Sequence, residues 1–573
     1  MRKNIIRRTP QQDADMAGLH PTLGRLYASR FVKSTAEVTN AITGLIPDKD
    51  LLGIETAVAL LVEAVRANHR ILIVGDFDAD GATSSALAMR ALRSFGVKEV
   101  NYLVPNRFTD GYGLTPELVV AAKAFSPDLI ITVDNGIANH AGVEAAKAAG
   151  MKVVITDHHL PAATLPPADA IVNPNQRGDT FASKNLAGVG VVFYVMLALR
   201  RALVQQGWFE EKGIPQPNMS ALLDLVALGT VADLVSLDQN NRILVHHGLK
   251  RIRAGQCVPG IVALLEVAER DFRNIVAGDL GFAVAARLNA AGRLEDMSLG
   301  IECLLTDDSI KARDIAYQLN KLNIERRSIE QEMQVQALET MNHIQLTSGE
   351  SLPYGICLFD ETWHQGVIGI LAARIKDRFN RPTIIFAPGL GNQLKGSARS
   401  IAGLHLRDVL ALIDATHTGL IVKFGGHAMA AGLTIEKENL TRFMEIFNEV
   451  VSAQMTEAQL QHAVLSDGEL AVEEMSLEVA TLLRDAGPWG QTFPEPVFDD
   501  TFRILEQRIV GDKHLKLRLS KADKLFDAIA FFVNINEWPN HRCQAIKAAY
   551  RLDINEYKGR RQLQLLVDYL EPA

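Results

Sequence analysis

The chain has 573 residues, too many for one hydrophobic core, so two to four domains are expected. Its 48% hydrophobic and 22% charged residues are those of an ordinary globular protein. The 59 basic and 67 acidic residues leave a formal charge of −8, which argues against a polybasic nucleic-acid-coating protein but leaves room for a local basic channel.

At the start, MRKNIIRRTPQQDADMAG carries positive charge but no apolar stretch of the kind a secretory signal needs. From about residue 70 to 175, aliphatic runs (RILIVGD, VNYLVP, DLIITVD, KVVITD, DAIVNP) alternate with helix-like stretches such as TSSALAMRALRSFG and HAGVEAAKAAG. That alternation predicts βαβ units and a parallel sheet covered on both faces. NLAGVGVVFYVMLALRRAL and MSALLDLVALGTVADL read as buried helices. Residues 307–345, free of Gly and Pro and dense in charge, read as one long helix joining two lobes. A second α/β unit follows in YGICLFD, GVIGILAARIKDRF and RPTIIFAP. In the last hundred residues FRILEQRIV, HLKLRLS, LFDAIAFFV and RRQLQLLVDYL suggest short strands, hence a small β-barrel or sandwich. The expected division is 1–306, 307–346 for the connecting helix, 347–460 and 461–573.

No uninterrupted apolar run reaches the roughly 18 residues of a membrane span. Cys257, Cys303, Cys357 and Cys543 form no C-x-x-C pair, so neither a disulfide framework nor a thiolate zinc site is expected. The expected compartment is the reducing cytoplasm, with no membrane partner.

In an open α/β sheet, ligands bind outside the carboxyl ends of the strands. ILIVGDFDADG places Asp76, Asp78 and Asp80 there, LIITVDNG places Asp134, and VVITDHH places Asp157, His158 and His159. ALGTVADL adds Asp233 at a helix end or turn. A lone D-x-D after a strand is usually a turn or cap, and a lone D-H-H means little more. Several acidic ends in the chain order of one sheet are harder to explain structurally. Crowded carboxylates raise one another's pKa unless a cation neutralises them. Carboxylate with imidazole suits a pair of Mn²⁺ or Mg²⁺ ions, the arrangement that hydrolyses phosphoesters.

GDFDADG, VDNG, TDHH and ALGTVADL, in that order, resemble the motifs of the DHH phosphoesterases. From about residue 20 onward the chain is similar to that family's single-stranded-DNA exonucleases. The resemblance implies two Mn²⁺ or Mg²⁺ ions held by Asp78, Asp80, Asp134, His158 and Asp233, with Asp134 bridging. Many relatives place a His four residues before the first Asp of D-x-D. Val74 stands there in this chain, and Asp76 is the candidate substitute. Because adjacent histidines cannot easily face one ion, His158 is assigned to metal and His159 to a phosphate oxygen or a supporting role. WHQGVIGILAARI, KGSARS and FGGHAMAAG look like the DHHA1 domain, with Ser397, Arg399 and His427 as phosphate donors. Taken alone, FGGHAMAAG reads as tight helix packing; its position after the acidic lobe favours ligand binding instead.

Two weaker candidates complete the set. RLNAAGR offers Arg287, Asn289 and Arg293 to a nucleic-acid backbone, or is simply a helix with surface arginines. RFTDGYGLTPE offers Arg107, Phe108 and Tyr112, where an aromatic stacks on a base or merely braces a turn. The β-rich tail resembles an OB fold and carries Lys513, Lys516, Arg518, Lys558, Arg560 and Arg561. The expected fold is therefore two α/β lobes (DHH and DHHA1-like) joined by a long helix, plus an OB-like barrel. The expected activity is metal-dependent 5′→3′ degradation of single-stranded DNA to mononucleotides in repair and recombination, the polarity being implied by family alone. A single-strand-binding protein and a helicase are the expected partners. The rivals are a DHH phosphodiesterase or pyrophosphatase for small substrates, and a non-catalytic single-strand-binding scaffold.

Overall fold

The aliphatic runs of the first third form a parallel sheet because each is buried on both faces, as in β2, where Ile71–Val74 are all buried. The computed structural model describes residues 3–347, 352–557 and 559–573; Lys558 and residues 348–351 lie outside the described residues. The chain divides into two compact units, one of Arg7–Asn323 with Ser466–Ala573, the other of Ile324–Leu465 with the residues before Arg7.

After a short strand β1 (Asn4–Arg7), the first unit builds β2 (Ile71–Val74), β3 (Val100–Leu103), β4 (Leu129–Val133), β5 (Lys152–Thr156) and β6 (Ala170–Val172). The order across the sheet is β3-β2-β4-β5-β6, all parallel. The chain turns one way after β2 to make β3 and the other way to make β4, so a crevice opens between β2 and β4 at their carboxyl ends. Register pairs Val74 with Thr132 and Val133 with Thr156, so the turns after these strands leave the sheet along one edge. Helices Ala79–Ser94, Gly188–Gln205 and Leu223–Ala232 pack together over the sheet. Gly188–Gln205 is long and apolar enough to cross a membrane, but it is a core helix, mostly buried in the protein.

The long helix runs from Ser309 to Thr347. Its base is fixed within the first unit by Arg90, whose guanidinium donates to the carbonyls of Leu304 and Leu305 and pairs with Asp307. In the second unit, β7 (Ile356–Phe359), β8 (Thr383–Pro388), β9 (Gln393–Arg399), β10 (Lys423–Gly426) and β11 (Ala430–Glu436) form a sheet in the order β10-β11-β9-β8-β7. Here the structure departs from the reading of FGGHAMAAG as helix packing. Its residues form the hairpin β10–β11, with Gly425 opposite Gly432. Period-2 alternation is masked there because nearly every residue is small. β12 (Ala463–Ser466) pairs with β1.

The tail closes into a barrel rather than a sandwich: β13 (Phe498–Val510), β14 (His514–Lys521), β15 (Lys524–Ala530), β17 (Arg560–Pro572) and β16 (Ala545–Tyr557), with β15 and β17 parallel. The sequence reading passed over β16, although Ile546, Ala548, Tyr550 and Leu552 alternate inward along it. One continuous hydrophobic core runs from the parallel-sheet domain into the barrel. Between them lies a buried ion pair in which Arg30 donates to both oxygens of Asp467 at 3.0 Å. The two side chains are 1% and 0% exposed. Arg30 also donates to the Pro494 carbonyl, and Asp467 accepts from the Val497 amide. The residues before the sheet thus clamp the strap leading into the barrel. Removing one member of such a pair strands a buried charge, so Arg30→Met is expected to cost about 3–5 kcal/mol. A fall in the denaturant midpoint of the full chain checks this.

Candidate metal centre

Each turn beyond the sheet edge delivers a carboxylate by a different local device. After β2, Asp78 is the N-cap of helix Ala79–Ser94, its Oδ1 accepting from the Asp80 and Gly81 amides at 3.0 Å. Asp80, in the first turn, accepts from the Gly188 and Val189 amides at the start of another helix, at 2.7 and 3.0 Å. Asp134 follows β4 with φ +62°, in the left-handed region that Asp and Asn tolerate better than most residues. Asp233 is the C-cap of helix Leu223–Ala232. Asp157, after β5, turns away from the cluster and accepts from the Ile137, His158 and His159 amides.

The side chains converge. Three donor sets have ligand atoms within 4.8 Å of one another: Asp76 with Asp78 and Asp134; Asp80 with His158 and Asp233; and Asp134 with His158 and His159. Asp134 Oδ1 lies 3.1 Å from His158 Nε2, which is 3.5 Å from Asp233 Oδ2. Both Asp134 Oδ1 and His158 Nε2 are buried, yet neither makes a well-directed hydrogen bond. Two orphaned ligand atoms side by side fit a shared cation better than an ion pair. Val74 is fully buried at the end of β2, and Asp76 supplies the carboxylate that completes its set.

Electrostatics point the same way. Burial, then the carboxylates of Asp233 and Asp78 respectively, push Asp80 and Asp233 up to about 7. Asp76 and Asp134 rise well above the carboxylate range for the same two reasons. Burial and the neighbouring His159 lower His158, which keeps the neutral imidazole a metal needs. His159 behaves oppositely. Burial disfavours its charge, but Asp157 at 2.7 Å prevails and raises it to about 9, while Asp157 itself, despite its burial, is held at about 2. The two histidines are therefore pushed in opposite directions, His158 toward the neutral form and His159 toward the charged one.

Of the remaining sequence candidates, Tyr112 is at this site: its hydroxyl donates to the Asp134 carbonyl at 3.2 Å and lies 3.3 Å from His159 Nε2. Arg107 stands over the Phe77 ring at 3.9 Å and donates through Nε to the Gly292 carbonyl, close to Asp76 and Asp78. Asn289 accepts from the Ala79 amide at 2.8 Å and so braces the helix that carries Asp78 and Asp80. Arg287 is mostly buried and donates to the Ala283 carbonyl and to Asn320. Its position in an ordinary-looking helix gave no warning of this.

Ser397, Arg399 and His427 belong to the second unit. Ser397 and Arg399 share one face of β9, opposite Gly432 and Ala430, and Arg399 donates to Ser397 Oγ at 3.3 Å. A Cβ on Gly369 would come within 3.0 Å of Ser397 Oγ and 3.1 Å of the Arg399 guanidinium, so that pad depends on glycine. His427 is exposed at the β10–β11 turn.

Sequence reasoning missed the braces. Asn173 donates to the His159 carbonyl at 2.9 Å and Asn175 to the His158 carbonyl at 2.6 Å. Both follow β6, the last strand of the sheet, and the N-P-N at that strand end was the available signal.

Such a crevice, with carboxylates and imidazole set to share two hard cations, defines a metal-dependent phosphoesterase of the DHH type. Three family descriptions match the chain: DHH family, N-terminal domain, over residues 70–230; DHHA1 domain over 352–453; and RecJ OB domain over 466–569. The single-stranded-DNA-specific exonuclease RecJ of Escherichia coli K12 is 54% identical over 571 residues, 99% of each chain. The Bacillus subtilis 168 protein of the same name is 32% identical, over 95% of this chain and 67% of that one. Among solved structures, RecJ of Thermus thermophilus in complex with Mn²⁺ superposes with a TM-score of 0.79 at 29% identity, covering 96% of this chain and 76% of that one. A Mg²⁺ complex of the same protein also matches, with a TM-score of 0.73 at 27% identity, over 96% of this chain and 74% of that one. The chain belongs to the RecJ family.

A Cβ at position 188 would stand 2.5 Å from that of Asp134 and 2.6 Å from its Oδ1. Gly188→Ala should therefore displace the shared ligand and weaken Mn²⁺ binding at least about tenfold. Calorimetric titration with Mn²⁺, with circular dichroism unchanged, checks it. Asp157→Asn removes the partner that charges His159, and a loss of about 10–100-fold in nucleotide release is expected.

Proposed function

We propose that this chain is a single-stranded-DNA-specific exonuclease that hydrolyses phosphodiesters at a two-cation centre, releasing mononucleotides from the 5′ end in DNA repair and recombination. The observation that carries the reading is the shared position of Asp134, a member of two donor sets whose other members are not shared with each other. Asp76, Asp78 and Asp134 would hold one ion and Asp80, His158 and Asp233 the other, with Asp134, whose Oδ1 lies 3.1 Å from His158 Nε2, as the proposed bridge. When bound, two divalent ions, Mn²⁺ or Mg²⁺, activate a water and stabilise the attacking and leaving oxygens of a phosphodiester.

The protein supplies position and charge. His159, charged by Asp157, donates to a non-bridging phosphate oxygen beside the ligands. Tyr112 and Asn289 keep the backbone of Asp134 and Ala79 in place. In the second unit Ser397, Arg399 and His427 bind phosphates, with glycine leaving the room they need. The division into domains at 1–306, 307–346, 347–460 and 461–573 follows these roles. A cytoplasmic enzyme of this kind needs a strand already exposed, so a helicase and a single-strand-binding protein are its natural partners.

The test uses a long single strand labelled at either end, with Mn²⁺ or with chelator, and the wild-type chain against Asp134→Ala. Early, metal-dependent loss of the 5′ label, reduced at least about a thousandfold by the substitution, is expected. Early loss of the 3′ label would reverse the polarity. Binding without release would leave a scaffold.

A further inference from the structure

At the crevice between β2 and β4 the chain leaves neighbouring strands in different directions, so backbone groups at the strand ends lose the partners a continuing sheet would supply. Asn135 fills that gap. It is fully buried, and its Nδ2 donates at 3.0 Å to the carbonyl of Val74, the last residue of β2, and at 2.9 Å to that of Val133, the last residue of β4. Both N–H bonds of the amide are thereby used. Its Oδ1 is also buried but finds no donor among the described residues. A Cβ on Gly113 would come within 3.1 Å of that oxygen, so what faces it is a glycine Cα–H. An unpaired buried oxygen is a cost, and the worth of this side chain therefore lies in its nitrogen.

Those two bonds act on the turns that carry metal ligands. Val74 stands just before the turn of Asp76 and Asp78, and Asp134 lies between Val133 and Asn135. The three aspartates make up one donor set, whose halves thus come from two different strands. Asp134 has φ +62°, a conformation that costs a residue other than glycine free energy and lasts where its surroundings hold it. The bond from Asn135 to Val133 closes a loop around Asp134 and holds that conformation. The Asp134 amide adds a bond to the Thr156 carbonyl at 3.1 Å. The bond from Asn135 to Val74 then ties the same turn to the strand end from which Asp76 and Asp78 depart. The donor set of Asp80, His158 and Asp233 is held by other means: Asp80 by the Gly188 and Val189 amides, Asp233 by its place at a helix C-terminus.

We propose that Asn135 is a positioning residue for the metal centre, a clip between the ends of β2 and β4 that sets the span of Asp76, Asp78 and Asp134 and so the coupling of two ions. The clip rests on the two-ion reading and acts through Asp134 and the Asp76 turn rather than on substrate. A carboxamide suits the position because one nitrogen offers two N–H donors to two carbonyls. Leu is close to it in size but donates nothing. Asp has its shape but sets oxygen against oxygen.

The experiment titrates the full chain with Mn²⁺ alone, by calorimetry for affinity and by electron paramagnetic resonance for coupling between ions, in the wild type, Asn135→Leu and Asn135→Asp. The wild type should take up two ions and show an exchange-coupled spectrum. Each variant should bind one ion within about twofold of the wild type and the other at least about tenfold more weakly, with the uncoupled spectrum of an isolated ion. Circular dichroism reports folding, and should Asn135→Leu not fold, Asn135→Asp carries the test. A coupled pair at wild-type affinity in either folded variant overturns the clip, as does equal weakening of both ions. Loss of the fold in both variants would make Asn135 a structural residue and overturn it too. Should the wild type itself bind fewer than two ions, the two-ion reading falls and the clip with it. A wild-type pair that survives both substitutions removes the clip alone.

Discussion

Asp76, Asp80 and Asp134 are each at most 3% exposed and stand side by side, so every element around them has to answer their repulsion. The parallel sheet creates the problem by bringing the turns after β2, β4 and β5 to one edge. The helices contain it. Asp80 takes two backbone N–H groups from the start of one helix, and Asp78 caps the start of another. These contacts orient the carboxylates, yet leave Asp134 Oδ1 and His158 Nε2 without hydrogen bonds in the interior. A fold that aims at stability alone would bury leucines there. What this one preserves is a vessel for positive charge, made of ligands fixed before the charge arrives.

The surrounding polar network is organised by the same requirement. Asp157 could have joined the cluster, since it leaves an adjacent strand of the same sheet. Instead it is spent on the backbone of the D-H-H turn and on His159, which becomes a local cation. Asn173 and Asn175 tie that turn's carbonyls to the end of β6. Two neighbouring histidines are thus pushed toward opposite protonation states by what lies one residue or one strand away.

Much of this could be read from the sequence, and the reasons differ from place to place. The three strand-end motifs were legible because a buried parallel strand leaves a continuous aliphatic run and the acid that follows it is conspicuous. The long helix was legible because a densely charged stretch that lacks both Gly and Pro is compatible with little else. The role of Arg287 was hidden, since a helix with arginines looks alike whether they face water or turn inward to a carbonyl. The β10–β11 hairpin was hidden by its small residues, which carry almost no period. The exposure of Phe531 and Phe532 was also beyond reach: LFDAIAFFV alternates imperfectly, and most aromatics of a small barrel are core. Only the turn that throws Phe532 into a left-handed conformation separates them from Phe526.

The clamp of Arg30 on Asp467 has a consequence for scale. It belongs to one unit that contains both the acidic crevice and the barrel, joined through a single hydrophobic core. The span between the two is therefore a property of the fold and not of a flexible linker. Any ligand long enough to touch both would have to cover a fixed contour.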